Sequence, residues 1–305
     1  MSGTHLTGLE GTNPLGFLAA LGVQTAFADY DVQPRLWWSD GVTPHAVVDS
    51  DFSVERIADQ ALTKAARWKD CPSMNPSRHN GRPLPKGDEL KLAPGDIRTY
   101  LSRSHASEAG GGLAAALVAE GSLDNNGVAK PSDLYFAAGR MKFLLIARTI
   151  LGSIAREDLL TGLVGPWSYT SEVASLGWDV VDDRIYALRA NNPDPDKKLT
   201  NPGPEALAIL GLSCHPVFAG GERTLTQGCS GSWKAGRYSW PLWRRPAAPG
   251  AVKSLLAHAY DHPGADRSHW YPSWGVFTIF RSPIRRSPQG GYGTFGPPEV
   301  AWQQH

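Results

Sequence analysis

Residues 11–29 read GTNPLGFLAALGVQTAFAD, and this stretch limits the fold more than any other. Asn13 is a good N-cap, because its side-chain oxygen can accept a hydrogen bond from a free backbone N–H of the first turn. Pro14 suits the first helical position, where its missing N–H costs nothing. Leu15, Leu18 and Leu21, then Phe17, Val23 and Phe27, put apolar stripes on more than one face. Gly16, Ala19, Ala20 and Gly22 leave little bulk between them. The spacing predicts a helix buried on most sides and packed closely against other backbone. Such a helix is a scaffold element and names no chemistry.

The chain has 305 residues, enough for one large domain or two small ones. Its 33 glycines and 24 prolines predict many turns and short strands, and its 11 tryptophans exceed what a core usually needs. Cys71, Cys214 and Cys229 lie far apart with no CxxC spacing, which reads as reduced thiols in a cytosolic protein. The Gly16–Ala28 run is too short to cross a bilayer, and no other stretch reaches about 18 apolar residues. The expectation is a cytoplasmic chain that meets no membrane.

A net charge of +1 hides an asymmetry. Residues 64–103 hold nine basic and four acidic residues, and residues 234–286 hold nine and two. The rest of the chain is acidic on balance. Two basic segments on a near-neutral protein suggest a surface that meets phosphate.

Apolar runs flank Asp40-Gly41 in the shape of a hairpin. Ser53 can cap a helix over roughly 54–67. Residues 69–95 form a long Pro- and Gly-bearing loop, of a length that is usually functional or disordered. Further helices are expected over 96–104, 107–120, 156–164, 202–212 and 251–260. LYFAAGRMKFLLIARTILGSI reads as the main helix of the middle region, with Leu134–Ala137 at its start either helical or extended. Strands are expected at 5–9, 217–218, 224–227, 236–242 and 274–281. The fold class is α+β, with a helical middle region and short, mainly antiparallel strands at both ends. We expect a single domain over 1–305. The candidate internal boundary near 195–203 divides a helix-rich 1–200 from a strand-rich 201–305.

Several motifs approach known chemistry. GCSGS (228–232) nearly spells a nucleophile elbow, but Ser232 replaces the last glycine and no helix follows, so a Gly/Ser turn is expected. GYGTFG (291–296) satisfies G-x-G-x-x-G, but Pro297 and Pro298 forbid the helix that a dinucleotide site needs. What remains is a turn between late strands, or a glycine loop whose amides meet a nucleic-acid backbone. His258, Asp261, His262 and His269 lie close in sequence, yet Pro263 ends the helix and no Glu stands where a zinc hydrolase needs one. Asp179, Asp182 and Asp183 could hold Mg²⁺ or equally cap a turn and pair with Arg184 and Arg189. No cofactor is expected.

SWKAGRYSWPLWRRP (232–246) interleaves Trp233, Tyr238, Trp240 and Trp243 with Lys234, Arg237, Arg244 and Arg245. Exposed aromatics and cations together suit single-stranded nucleic acid, with bases on rings and cations on phosphates. A core strand with charged edges accounts for the same letters. Strand alternation puts Trp240 and Trp243 on opposite faces, so at least one is expected in the core.

LTGLEGTNPLGFLAALGV, SDLYFAAGRMKFLLIAR, LGWDVVDDRIYALRA, ALAILGL and YSWPLWRRP follow one another in this order. Together they resemble proteins of type I-G (formerly I-U) CRISPR–Cas loci in bacteria, in particular a helicase-nuclease extension family. More loosely, the chain is similar to other small effector subunits of that system, which share the Asn-Pro-x-x-Phe/Leu-x-Ala-x-x-Gly pattern. The resemblance brings no catalytic residue with it, and the chain has neither an HD pair nor helicase motifs. It implies a noncatalytic effector or accessory subunit for antiviral interference. The implied partners are effector proteins or a helicase-nuclease, and guide RNA or target DNA. In such assemblies base pairing reads the sequence while protein holds backbone.

The candidate phosphate contacts are Lys69, Arg78, Arg82 and Lys86 in the long loop, Lys234, Arg237, Arg244 and Arg245, and Arg281, Arg285 and Arg286. Trp240 or Trp243 is expected to stack. Two other readings stand beside this one. One is a structural adaptor that docks a helicase-nuclease without touching nucleic acid. The other is a metal-dependent nuclease using Asp179, Asp182 and Asp183.

Overall fold

The computed structural model describes residues 3–77, 89–107, 109–136, 142–182, 199–220, 223–259, 267–286 and 293–304. The first helix, α1 (Pro14–Ala26), starts as its sequence predicts: the Asn13 side-chain oxygen accepts from the Leu15 N–H at 3.0 Å. Every residue of α1 except Thr25 is buried. Its small residues meet α7 (Pro202–Gly211), which is buried along its whole length. A methyl group on Gly22 would lie 1.9 Å from the Leu207 carbonyl oxygen, and one on Gly211 would lie 1.9 Å from that of Leu18. The two backbones therefore touch where both helices carry glycine.

Around this pair the N-terminal strands β1 (Gly3–Glu10), β2 (Leu36–Trp38) and β3 (His45–Asp49) form an antiparallel sheet in the order β1-β3-β2. The hairpin predicted around Asp40-Gly41 is β2–β3, and Gly41 takes φ +128. Ser53 caps α2 (Val54–Trp68) by accepting from Arg56 N–H. Helices α3 (Pro94–Ala106), α4 (Gly111–Leu117), α5 (Phe143–Ser153) and α6 (Arg156–Val164) fill the middle.

Helix α5 starts at Phe143, and of the two readings of Leu134–Ala137 the non-helical one holds for the described Leu134–Phe136. Leu134 and Tyr135 belong to a turn in which Ser132 accepts from both backbone N–H groups, and Leu134 and Phe136 are buried as anchors rather than as helix residues. The helix opens at Phe143 because Glu89 accepts from the Leu144 and Leu145 N–H groups, each at 2.8 Å. A carboxylate at that end offsets both the unsatisfied donors and the helix dipole.

The C-terminal part carries the hairpin β4 (Val217–Gly220)–β5 (Arg223–Thr226) and a five-stranded sheet of β6 (Cys229–Ser230), β7 (Gly236–Trp243), β8 (Val276–Arg286), β9 (Gly293–Phe295) and β10 (Glu299–Gln303). All pairings are antiparallel. The long β8 gives one edge to β10 in its first half and to β9 in its second. Helix α8 (Pro249–His258) packs against β7 through Val252 and Leu256. The α+β class is as expected, with helices in the middle and sheets at both ends.

Both ends share one core. Buried Gln24 donates to the carbonyls of Pro34 (2.9 Å) and Ala247 (3.0 Å), tying α1 to both parts of the chain. Trp240 Nε1 donates to Gly11 O at 2.8 Å and Trp243 Nε1 to Leu36 O at 2.7 Å. None of the helices among the described residues is long and apolar enough to cross a membrane.

Candidate nucleic-acid interface

Antiparallel register decides which predicted cations meet. Gly236 and Arg237 on β7 stand opposite Ile284 and Pro283 on β8, so the start of β7 lies beside the end of β8. Arg237 also faces Ser230 on β6, and Arg285 faces Thr294 on β9. One end of the sheet therefore gathers Lys234, Arg237, Arg285 and Arg286, which come from positions about fifty residues apart in sequence.

The turn before β7 supplies the aromatic. Gly228 and Gly231 both take positive φ, and a side chain on Gly231 would strike the Ala235 carbonyl at 2.2 Å. GCSGS is thus the short strand β6 between two left-handed glycines, and no helix follows it. The tight turn lifts Trp233 outward, where 47% of it is exposed. The Arg286 guanidinium lies over the Trp233 ring, 3.6 Å from its centroid, with Phe136 at 5.6 Å. Its Nη2 donates to the Asp133 carbonyl at 2.9 Å, while Nη1 has no hydrogen-bond partner among the described residues. Burial lowers the Arg286 pKa from its ordinary value, and the Asp133 charge opposes that. Burial likewise raises the Asp133 pKa, against the pull of Arg286. A cation held against a ring is attracted by the ring quadrupole.

Lys234 and Arg237 are exposed, and neither has an ion-pair partner among the described residues. Exposed Arg285 runs along Gly296, whose missing side chain leaves room for the guanidinium. Part of GYGTFG, Gly293–Phe295, is strand β9; Gly291 and Tyr292 lie outside the described residues.

The other predicted residues fall elsewhere. Arg244 and Arg245 sit at and beyond the far end of β7, about 25 Å along the strand at ~3.3 Å per residue. Arg244 is engaged by Asp40 at 3.0 Å and Gln304 at 2.9 Å, over the Phe277 ring. Arg281, in mid-strand, pairs with Glu299 at 2.7 Å. Lys69 pairs with Asp70 at 2.6 Å just past α2. Arg78, Arg82 and Lys86 lie outside the described residues.

The expected stacking tryptophans are a correction. Trp240 is 0% exposed and Trp243 1%. Both rings converge on Phe17, at 6.0 and 6.4 Å, and both indole N–H groups are spent on backbone carbonyls. The β7–β8 ladder shifts register between Leu242 and Trp243, so simple alternation does not separate the two rings. Neither can receive a base. Trp233 was the legible alternative, because it lies between Gly231 and Gly236, in a turn rather than a strand. Trp270, 53% exposed in the turn before β8, was missed.

Asp179 is buried and serves the fold. It accepts from Asn13 Nδ2 at 3.1 Å, Tyr169 O–H at 2.7 Å and Val181 N–H at 3.3 Å. Tyr169 is held there at φ +48. Asp183, Asp261 and His262 lie outside the described residues, and among those described no group of three His, Cys, Asp or Glu residues can hold a metal. No protein-family model matches the chain, and no match is found among the curated proteins.

Proposed function

We propose that this chain is a noncatalytic subunit of a CRISPR–Cas assembly, and that it holds nucleic-acid backbone on the Trp233–Arg286 end of its five-stranded sheet. The observation that carries the reading is the convergence of Lys234, Arg237, Arg285 and Arg286 around an exposed tryptophan through one strand register. Cations already paired with carboxylates, as Arg281 is, offer little to a phosphate. Lys234 and Arg237 have no such partner among the described residues, and a cluster of this kind concentrates positive potential. The stacked Arg286 fixes the Trp233 ring at the edge of the cluster, where a base can lie against its open face. The CRISPR setting rests on the ordered sequence stretches alone.

A docking role has separate support. Phe218 and Leu225 stand directly opposite each other on the β4–β5 hairpin, 54% and 51% exposed. Such a cross-strand apolar pair suits a protein neighbour, and the chain can serve both roles.

Binding of labelled single-stranded RNA, single-stranded DNA and duplex over a salt series tests the proposal. Three phosphate contacts, from Lys234, Arg237 and Arg285, predict a slope of log K against log salt of roughly −2.5, at about 0.7 to 0.9 per contact. A slope shallower than about −1, or no binding at low salt, contradicts it.

A further inference from the structure

The far end of the same sheet carries a different feature. A groove of about 540 Å³ runs between α8 and the turn before β8. That volume lies within the ~300–1,000 Å³ of small-ligand clefts. Its α8 wall is Ala251, Ser254, Leu255 and His258, residues three and four apart and so on one helix face. Ala251 and Ser254 are small, which keeps the groove open. Trp274, half-buried, lines the groove beyond His258, its ring 6.3 Å from that of His258 and 6.0 Å from that of Tyr271.

Arg245 lines the groove, is exposed, and has no acidic partner among the described residues. Its stem packs over Gly275, whose φ of +78 turns the chain there and leaves the contact free of a side chain. Arg267 Nη1 lies 3.1 Å from His258 Nδ1, which brings a second cation beside the groove. No carboxylate lines the groove among the described residues. An aromatic wall, a mainly apolar lining and cations beside the groove fit a flat heterocycle joined to an anion.

We infer that this groove takes one unstacked nucleobase of a single strand, stacked on Trp274, with its phosphate on Arg245. The inference rests on the nucleic-acid reading above and adds where a base is held. Duplex, whose bases are already stacked, has no use for the slot. Stacking on an aromatic side chain is worth ~1–3 kcal/mol per base, so losing it weakens single-strand binding by about tenfold.

The test uses the full chain and a single-stranded DNA carrying 2-aminopurine, whose fluorescence is quenched on stacking. Wild type should quench it. Trp274→Ala should abolish the quenching and weaken single-strand binding about tenfold, leaving duplex binding unchanged. Ala251→Leu fills the slot from an exposed helix position and should do the same while sparing the Trp274 environment. Single-strand binding that persists with both variants at wild-type affinity and quenching overturns the groove and leaves the sheet-end reading standing. If wild type binds neither form at low salt, both fall.

Discussion

Gly22→Ala is expected to lower stability by about 3 kcal/mol or more, a large share of what a domain possesses. The added methyl would sit 1.9 Å from the Leu207 carbonyl oxygen and 2.6 Å from its carbon. Both obstacles are backbone, so no rotamer change relieves them. The helices would have to separate, and α1 and α7 are buried nearly throughout. Overpacking usually costs ~1–3 kcal/mol, and a clash between main chains belongs at the top of that range. Gly211→Ala should behave alike, since its methyl meets the Leu18 carbonyl at 1.9 Å. Gly250→Ala is the control. It lies in α8 with nothing within 4 Å of the new atom, and should be neutral or stabilising by up to about 1 kcal/mol. Urea midpoints at unchanged m-value would measure all three. Equal midpoints for Gly22→Ala and Gly250→Ala would mean that the helices do not touch.

The second large effect is with pH. His215 is buried, and Tyr238 O–H lies 2.8 Å from its Nε2. Burial pulls its pKa down from 6.5 to about 4. Between those values the unfolded chain binds a proton that the folded chain refuses, so stability falls as pH drops. The contribution is fully present above about pH 6.5 and is lost progressively down to about pH 4, where the loss amounts to about 3 kcal/mol. In His215→Gln the amide oxygen can still accept from Tyr238, and no proton is taken up. The difference in unfolding free energy between wild type and this variant should therefore shrink or change sign toward pH 4. A difference independent of pH would show that His215 does not titrate in the fold.

Local signals in the sequence were sufficient where the cause is local. Asn13, Pro14 and Ser53 begin their helices because a cap acts within one turn. The small residues of α1 announced a close backbone neighbour, but not that it would be α7, some 190 positions away. The sequence left the start of α5 open because its cap, Glu89, is more than fifty residues upstream. Nothing adjacent to Phe143 encodes that bond. One of Trp240 and Trp243 was expected on a base and at least one in the core; both are buried, and that follows from Gly11, Phe17 and Leu36 on distant elements. The cation cluster was only half legible. The residues were visible, but their meeting depends on the pairing of β7 with β8.

The most direct test of the nucleic-acid reading compares salt slopes for wild type and Arg237→Glu/Arg285→Glu. Arg98→Glu, on α3 beside Glu120, is the control for a charge reversal away from the sheet end. The account predicts a wild-type slope of roughly −2.5, a fall in low-salt affinity on the order of 100-fold with a slope near −1 in the double variant, and little change in the control. Equal slopes and affinities for wild type and the double variant would place nucleic acid elsewhere, or nowhere, on this chain.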